Sequence, residues 1–450
     1  MKQTPSNSTT TITEGIIWKQ ILLFFFPILF GTFFQQLYNT ADAIIVGRFV
    51  GKEALSAVGG TTGTLINLLI GFFVGISSGA TVIISQYYGA KNETYVQKAV
   101  HTAIALALTG GAILTVAGIW LAPVALVRMH TPEEILAPSL LYLRIYFAGT
   151  IANLLYNMGS GILRAVGDSK RPLYYLIAAC VLNIGLDVLL VLVFRLGILG
   201  VALATVASQL LSAVLVCTEL LRSTECYRLS LKKIRFHRDV LLRTIRIGLP
   251  AGFQSVMYNI ANVIIQSNIN TFGTDTVAAW TAYSKIDSMF WMIMSAFGVS
   301  VTTFVGQNYG AGKFDRVRRG VRVCLGMAMA SAAALSLFLF FFGNHVYLLF
   351  ADDPAVLEKG MEILRFLVPT YVTYVCIEIF SGSLRGMGKS FVPLLLTLVG
   401  VCVFRIAWIT IMVPIFPEIR TIIVSYPLSW FTTSLLFLVY YRYSIKRMRL

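Results

Sequence analysis

Apolar blocks of roughly 20 residues, separated by short polar segments, recur along the whole chain; Ile104 to Pro123, Leu173 to Phe194 and Met327 to Gly343 are clear cases. A hydrocarbon core about 30 Å thick is crossed by about 20 helical residues rising ~1.5 Å each, so every block is long enough to span a bilayer. About twelve such blocks follow one another, which predicts an all-α integral membrane protein with twelve transmembrane helices. The first, from Ile16 to about Val46, is too long for a signal-peptide core and lacks a clear small-residue cleavage site, so it reads as a retained first helix.

Polar landmarks punctuate the blocks twice in the same order, at an offset of about 220 residues. Pro27 matches Pro250, and Tyr38-Asn39-Thr40-Ala41-Asp42 matches Tyr258-Asn259-Ile260-Ala261-Asn262. Ser85-Gln86-Tyr87-Tyr88-Gly89-Ala90 matches Gly306-Gln307-Asn308-Tyr309-Gly310-Ala311, and Leu163-Arg164-Ala165-Val166-Gly167 matches Leu384-Arg385-Gly386-Met387-Gly388. Six spans per half is an even number, so both halves enter the membrane in the same orientation. That predicts two six-helix lobes related by a pseudo-two-fold axis along the membrane normal, with a transport path between them. The expected division is a cytoplasmic tail at 1–15, an N-lobe at 16–221, a basic linker at 222–240, a C-lobe at 241–441 and a basic tail at 442–450.

Composition agrees: 57% of the 450 residues are hydrophobic and 12% charged, against roughly 25% charged in a soluble domain. A net charge of +16 raises the question of nucleic acid, but its placement answers it. Most of the 36 Lys and Arg residues fall in every second connecting segment, the largest group lying between Arg222 and Arg246. This is the positive-inside pattern of a multi-pass bacterial inner-membrane protein, here with both termini cytoplasmic. The partner it implies is the lipid bilayer, through anionic headgroups, and no nucleic acid.

Enzyme and nucleotide chemistry find no support. Gly382 to Ser390 ends in Gly-Lys-Ser, but its upstream glycine is one residue out of place for a phosphate loop and an apolar helix precedes it. The four histidines show no ligand spacing and the six cysteines no CxxC pair, so no metal centre, disulfide framework or cofactor is expected. With no nucleotide site, an ion gradient is the expected energy source.

Charges inside the spans carry the candidate chemistry, since a mid-membrane carboxylate costs on the order of 3 kcal/mol on insertion scales. Four acids qualify: Asp42, Asp187, Asp287 and Glu378. In the first span Gln35, Asn39 and Asp42 share a helix face, and in the fifth Asn183 and Asp187 lie one turn apart. Asp42 precedes Arg48 and Asp187 precedes Arg195 by similar distances, so both sit about 9 to 12 Å below the outer boundary and contact is possible. Two carboxylates meeting in a low dielectric either share a proton or hold a cation between them; the competing reading is that Asp42 only satisfies neighbouring polar groups.

The second half lacks this pair and carries aromatic stripes instead. Trp280, Tyr283, Asp287, Trp291 and Met294 recur at helical spacing, as do Gln254 and Tyr258 in the seventh span and Tyr371, Tyr374 and Glu378 in the tenth. Aromatic faces around a carboxylate suit a lipophilic cation; plain packing is the alternative. For Glu378 an ion pair with Arg365 or Arg405 competes with a ligand role.

These residues resemble the multidrug and toxic compound extrusion family, most closely its DinF branch, over about residues 16 to 440. The likeness rests on a proline-containing first helix with Asp42, on Gln86 to Ala90 and Gln307 to Ala311, on Leu163 to Asp168, on Leu182-Asn183-Ile184-Gly185-Leu186-Asp187 and on Gly197 to Thr205. It implies secondary antiport, in which a cationic or lipophilic small molecule leaves as protons or sodium ions enter. It further implies an ion site of Asp42, Asn183 and Asp187 with Thr205 nearby, and a hinge at Pro27, where the missing amide hydrogen independently weakens the helix. A monomer is expected. The rival is a lipid or lipid-linked oligosaccharide flippase of the same superfamily, for which an arginine-rich cavity is expected.

Overall fold

The computed structural model describes residues 12–350 and 353–447; the expectations for residues 1–11 and 448–450 of the two tails lie outside them. Among the described residues all regular structure is helical, and apart from the short 3-10 turns Leu231–Lys233 and Asn270–Phe272 it falls into twelve segments. These are α1 Ile17–Val50, α2 Lys52–Gly89, α3 Glu93–Arg128, α4 Glu133–Ala148 with Thr150–Ala165, α5 Lys170–Val193 and α6 Ile198–Arg222. In the second half they are α7 Arg238–Ile269, α8 Thr274–Gly310, α9 Phe314–Tyr347, α10 Pro354–Thr370 with Val372–Gly386, α11 Phe391–Met412 and α12 Ile419–Lys446. Nine are long and apolar enough to cross a membrane, and eleven are if each bent segment is one span. The twelfth, α7, is 32 residues long but interrupts its apolar run with Gln254, Asn259, Asn262 and Gln266. Large side chains on the outside, such as Trp120 at 79% exposure, face a solvent that accepts them.

The repeat is legible in the backbone. Prolines 27 and 250 both lie inside helices. Segments α4 and α10 bend by 47° and 51°. Matching π-helical turns interrupt α5 at Val188–Val193 and α11 at Leu398–Val403.

By internal contacts the chain forms two compact units, Phe26–Gly252 and Phe253–Leu450, the second completed by Thr13–Phe25. This differs from the expected lobe edges at 16–221 and 241–441: the division falls inside α1 and α7. The basic segment 222–240 belongs wholly to the first unit, where Tyr227, Leu229 and Val240 join its apolar core. His101 on α3 accepts the Ser230 amide proton at 3.0 Å, and Thr102 accepts that of His237 at 3.2 Å. Those bonds fix the segment to α3.

Close helix approach relies on glycine, as expected where lipid supplies no hydrophobic drive for helices to associate. A Cβ on Gly79 of α2 would stand 2.6 Å from both the Gly248 nitrogen and the Thr244 carbonyl of α7. In the second unit, a Cβ on Gly386 of α10 would lie 2.6 Å from the Thr302 carbonyl of α8. Backbone atoms cannot rotate away, so Gly79→Val should lower the thermal midpoint of the purified protein by the equivalent of about 1–3 kcal/mol. Gly326→Ala, whose added Cβ meets nothing within 4 Å, should leave that midpoint unchanged.

Candidate functional site

The first unit brings together residues from three helices beside two helical irregularities. Asp42 sits one turn before the π-helical turn Val46–Val50 that ends α1, and Asp187 immediately precedes the turn Val188–Val193 in α5. Such turns redirect side chains and recur at functional sites. Asp42 lies within interaction range of Asp187, Asn183 and the Thr205 hydroxyl of α6. All four are buried: Asp187 and Asn183 are fully enclosed, and Asp42 is 8% exposed.

What distinguishes the cluster is unmet bonding capacity. One Asp42 oxygen, both Asp187 oxygens and both polar atoms of the Asn183 amide make no hydrogen bond. Such atoms are expensive to bury unpaired, each at about 1–3 kcal/mol. Two unit negative charges about 4 Å apart add a repulsion of about 4 kcal/mol at an effective dielectric of 20. Apolar neighbours sharpen this, because Ile45, Val46, Val191 and Val201 pack with Tyr142 and Tyr146 in one buried cluster around the acids. Thr205 donates to the Val201 carbonyl at 3.0 Å, which leaves its oxygen lone pairs available. The donor set is therefore carboxylate, amide and hydroxyl oxygen. It suits a proton or a hard monovalent cation.

Adjoining the acids is a cavity of about 140 Å³ inside the same unit. Pro27, Gln35 and Tyr38 of α1 line one side, and Asn153, Asn157 and Arg164 of α4 another. Tyr38, which lines it, also interacts electrostatically with Asp42, so the cavity lies close to the acids although neither acid lines it. The Arg164 Nε is buried with no hydrogen-bond partner, and no carboxylate pairs with this guanidinium among the described residues. Nearby Arg171, by contrast, pairs with Asp168 at 3.3 Å and with Glu219 at 2.5 Å.

Of the six residues expected to couple ions, Asp42, Asn183, Asp187 and Thr205 converge, and Gln35 lines the adjoining cavity. Asn39 does not join them: it is exposed and donates to Gln36 at 3.5 Å. Tyr38 takes the place expected of it, since a residue one full turn before Asp42 is only about 40° round the helix. Tyr142, Tyr146, Gln209 and Arg164 were not singled out beforehand. For Gln209 a signal existed, one turn beyond Thr205, and the Asn153/Asn157 pair shows the same spacing in α4.

The second unit treats its acids differently. Asp287 accepts from Trp291 Nε1 at 2.6 Å, from the Tyr371 hydroxyl at 2.7 Å and from the Tyr283 hydroxyl at 3.2 Å. Around it Phe290 stacks on Tyr371 at 4.1 Å, and Trp291 meets Tyr374 edge-on at 4.7 Å. Trp280, Tyr283 and Met294 are buried in this packing. The cation among these rings is the protein's own Arg405, 3.9 Å from the Tyr426 ring centroid and bonded to Ser429 at 2.9 Å. The stripe read as a face for a cationic ligand is thus a packed network with an internal guanidinium. Glu378 accepts from Tyr374 at 3.1 Å and lies 3.9 Å from Arg385, two turns along its own helix, rather than pairing with Arg365 or Arg405. Gln254 donates to Thr397 at 3.0 Å, while the buried Tyr258 hydroxyl makes no hydrogen bond.

A duplicated bundle of membrane helices, with unpaired buried acids close to a polar cavity, is the architecture of a membrane transport protein. The MatE family model matches residues 27–189 and again 250–411, once in each half. The "Probable multidrug resistance protein YoeA" of Bacillus subtilis is 28% identical over 446 residues, 96% of this chain and 95% of its own length. The "Probable multidrug resistance protein YpnP" of the same organism is 30% identical over 395 residues, covering 87% and 88%. A solved structure described as the outward-facing conformation of a multidrug resistance MATE family transporter superposes with a TM-score of 0.92 at 23% identity, covering both chains completely. The chain belongs to the MatE family and is a multi-pass secondary transporter, not an enzyme.

The two acid environments predict opposite responses. Asp287→Asn turns an amide toward three donors and should lower the thermal midpoint by the equivalent of about 1–3 kcal/mol. Asp42→Asn removes a charge from an unsatisfied pair and should leave the midpoint unchanged or raise it, measured by the same melting assay.

Proposed function

We propose that this protein exports lipophilic or cationic organic compounds, drugs among them, in exchange for protons or sodium ions across a bacterial cytoplasmic membrane. The observation that carries the reading is the Asp42–Asp187–Asn183 cluster, where five buried polar atoms from three helix positions lack any partner. A proton or cation entering there would satisfy the oxygens among them and cancel the repulsion, so it would bind much more tightly to a conformation that holds the acids together than to one that separates them. That difference is what a coupled transporter needs to bias one conformation over another.

Substrate would occupy the adjoining cavity, its polar groups meeting Gln35, Asn153, Asn157 and Gln209. Ion arrival at the acids alters the charge beside that cavity and favours release. Pro27, inside α1 and on the cavity wall, is the position where the helix can yield as Asp42 changes state. The multidrug names of the relatives from Bacillus subtilis support the substrate class. A flippase for pyrophosphate-linked lipids is disfavoured, because Arg164 is the single cation among the residues lining the cavity.

Ethidium efflux from energised cells expressing the protein tests the reading, with the sodium and proton gradients collapsed separately. Wild type should export and lose activity with one gradient only, which names the ion. Asp42→Asn and Asp187→Asn should reach the membrane at normal levels and lose coupled efflux, by about tenfold or more. Efflux unaffected by both substitutions would remove Asp42 and Asp187 from the coupling site.

A further inference from the structure

In the second unit a groove of about 430 Å³ runs between α9 and α12. It is built from the first turns of α9 and the last turns of α12, so it lies at one end of the bundle, where helices leave the hydrocarbon. Arg318 and Arg322 from α9 and Arg442 and Lys446 from α12 line it. Leu325 and Leu438 lie seven and four residues deeper along their helices than Arg318 and Arg442, which sets apolar wall about 6 to 10 Å inward of the charges.

Charges at helix ends commonly just reach for water, but Arg318 is held. Its guanidinium bonds Asp315 at 3.2 Å and the Ile445 carbonyl at 3.5 Å, its side chain is only 11% exposed, and its Nε is buried without a partner. The Tyr441 hydroxyl, on the groove wall and near Arg318 and Arg322, is buried beside Ser383. Asp315 is 86% exposed and answers one charge of four. The groove is therefore positive at its mouth, apolar at its depth and short of acceptors.

We propose that this groove binds one anionic phospholipid, its phosphate against Arg318, Arg322 and Arg442 and an acyl chain along Leu325 and Leu438. Charge complementarity selects the headgroup, since each basic side chain near a bilayer surface attracts acidic lipid. The order of charge and apolar wall matches that of headgroup and chain in the leaflet. A soluble anion would use only the mouth, and a neutral lipid only the depth. The site is separate from the acid cluster and does not depend on the export reading.

The test is native mass spectrometry of the full-length purified protein titrated with phosphatidylglycerol or phosphatidylcholine of identical acyl chains. One phosphatidylglycerol should be retained in preference to phosphatidylcholine. Arg322→Gln with Arg442→Gln should reduce that retention about tenfold. Leu325→Trp, which fills the groove and leaves every charge in place, should reduce it as well. Equal retention of the two lipids overturns the proposal. So does a loss in the charge variant with none in Leu325→Trp, which would mark diffuse surface attraction. Elution of each variant as a single monodisperse species establishes that it folds.

Discussion

Hydrocarbon cannot hydrogen-bond, and nearly everything in this molecule answers that constraint. Backbone groups must find partners within their own segment, so the spans are helical, and the bent or π-helical stretches are confined to a few positions. Lipid gives helices no hydrophobic reason to associate, so close approach depends on glycines such as Gly79 and Gly386. The same solvent magnifies the cost of any polar side chain left unpaired, which is why the bonding state of four acids tells so much.

The two units show what that cost can be made to do. Around Asp287 it is met: three donors bond the carboxylate among stacked rings, with the Arg405 guanidinium packed on Tyr426 nearby. Around Asp42 and Asp187 it is left standing. A site that a proton or cation can stabilise strongly has to begin with unmet demand, and a fully satisfied cluster would give an ion no hold. Duplication supplied one architecture twice, and divergence left one copy with unmet acids and gave the other an acid bonded within packed rings. Asp42 opposite Asn262 in the repeat is the residue-level trace of that split.

Arg164 adds a second electrostatic feature to the first unit. A buried guanidinium without a carboxylate stands in the wall of the cavity, close to the two unpaired acids. Charge in the second unit instead gathers at the helix ends between α9 and α12, where bilayer and water meet.

Much was legible in the sequence, because bilayer thickness and helix geometry act locally. Block length fixed the helical spans, polar landmarks fixed the duplication, and the spacing of Asn183 and Asp187, with the matched depth of Asp42, fixed the acid pair. Those signals need only distance along the chain. Tertiary structure alone decided the rest: that Tyr38 and not Asn39 turns toward Asp42, that segment 222–240 docks on α3, and that the aromatic stripe already holds Arg405. Each depends on which residues from other helices arrive at a given face. One helix's periodicity shows that a stripe exists, but whether it meets a ligand, lipid or another side chain is set by residues far away in sequence.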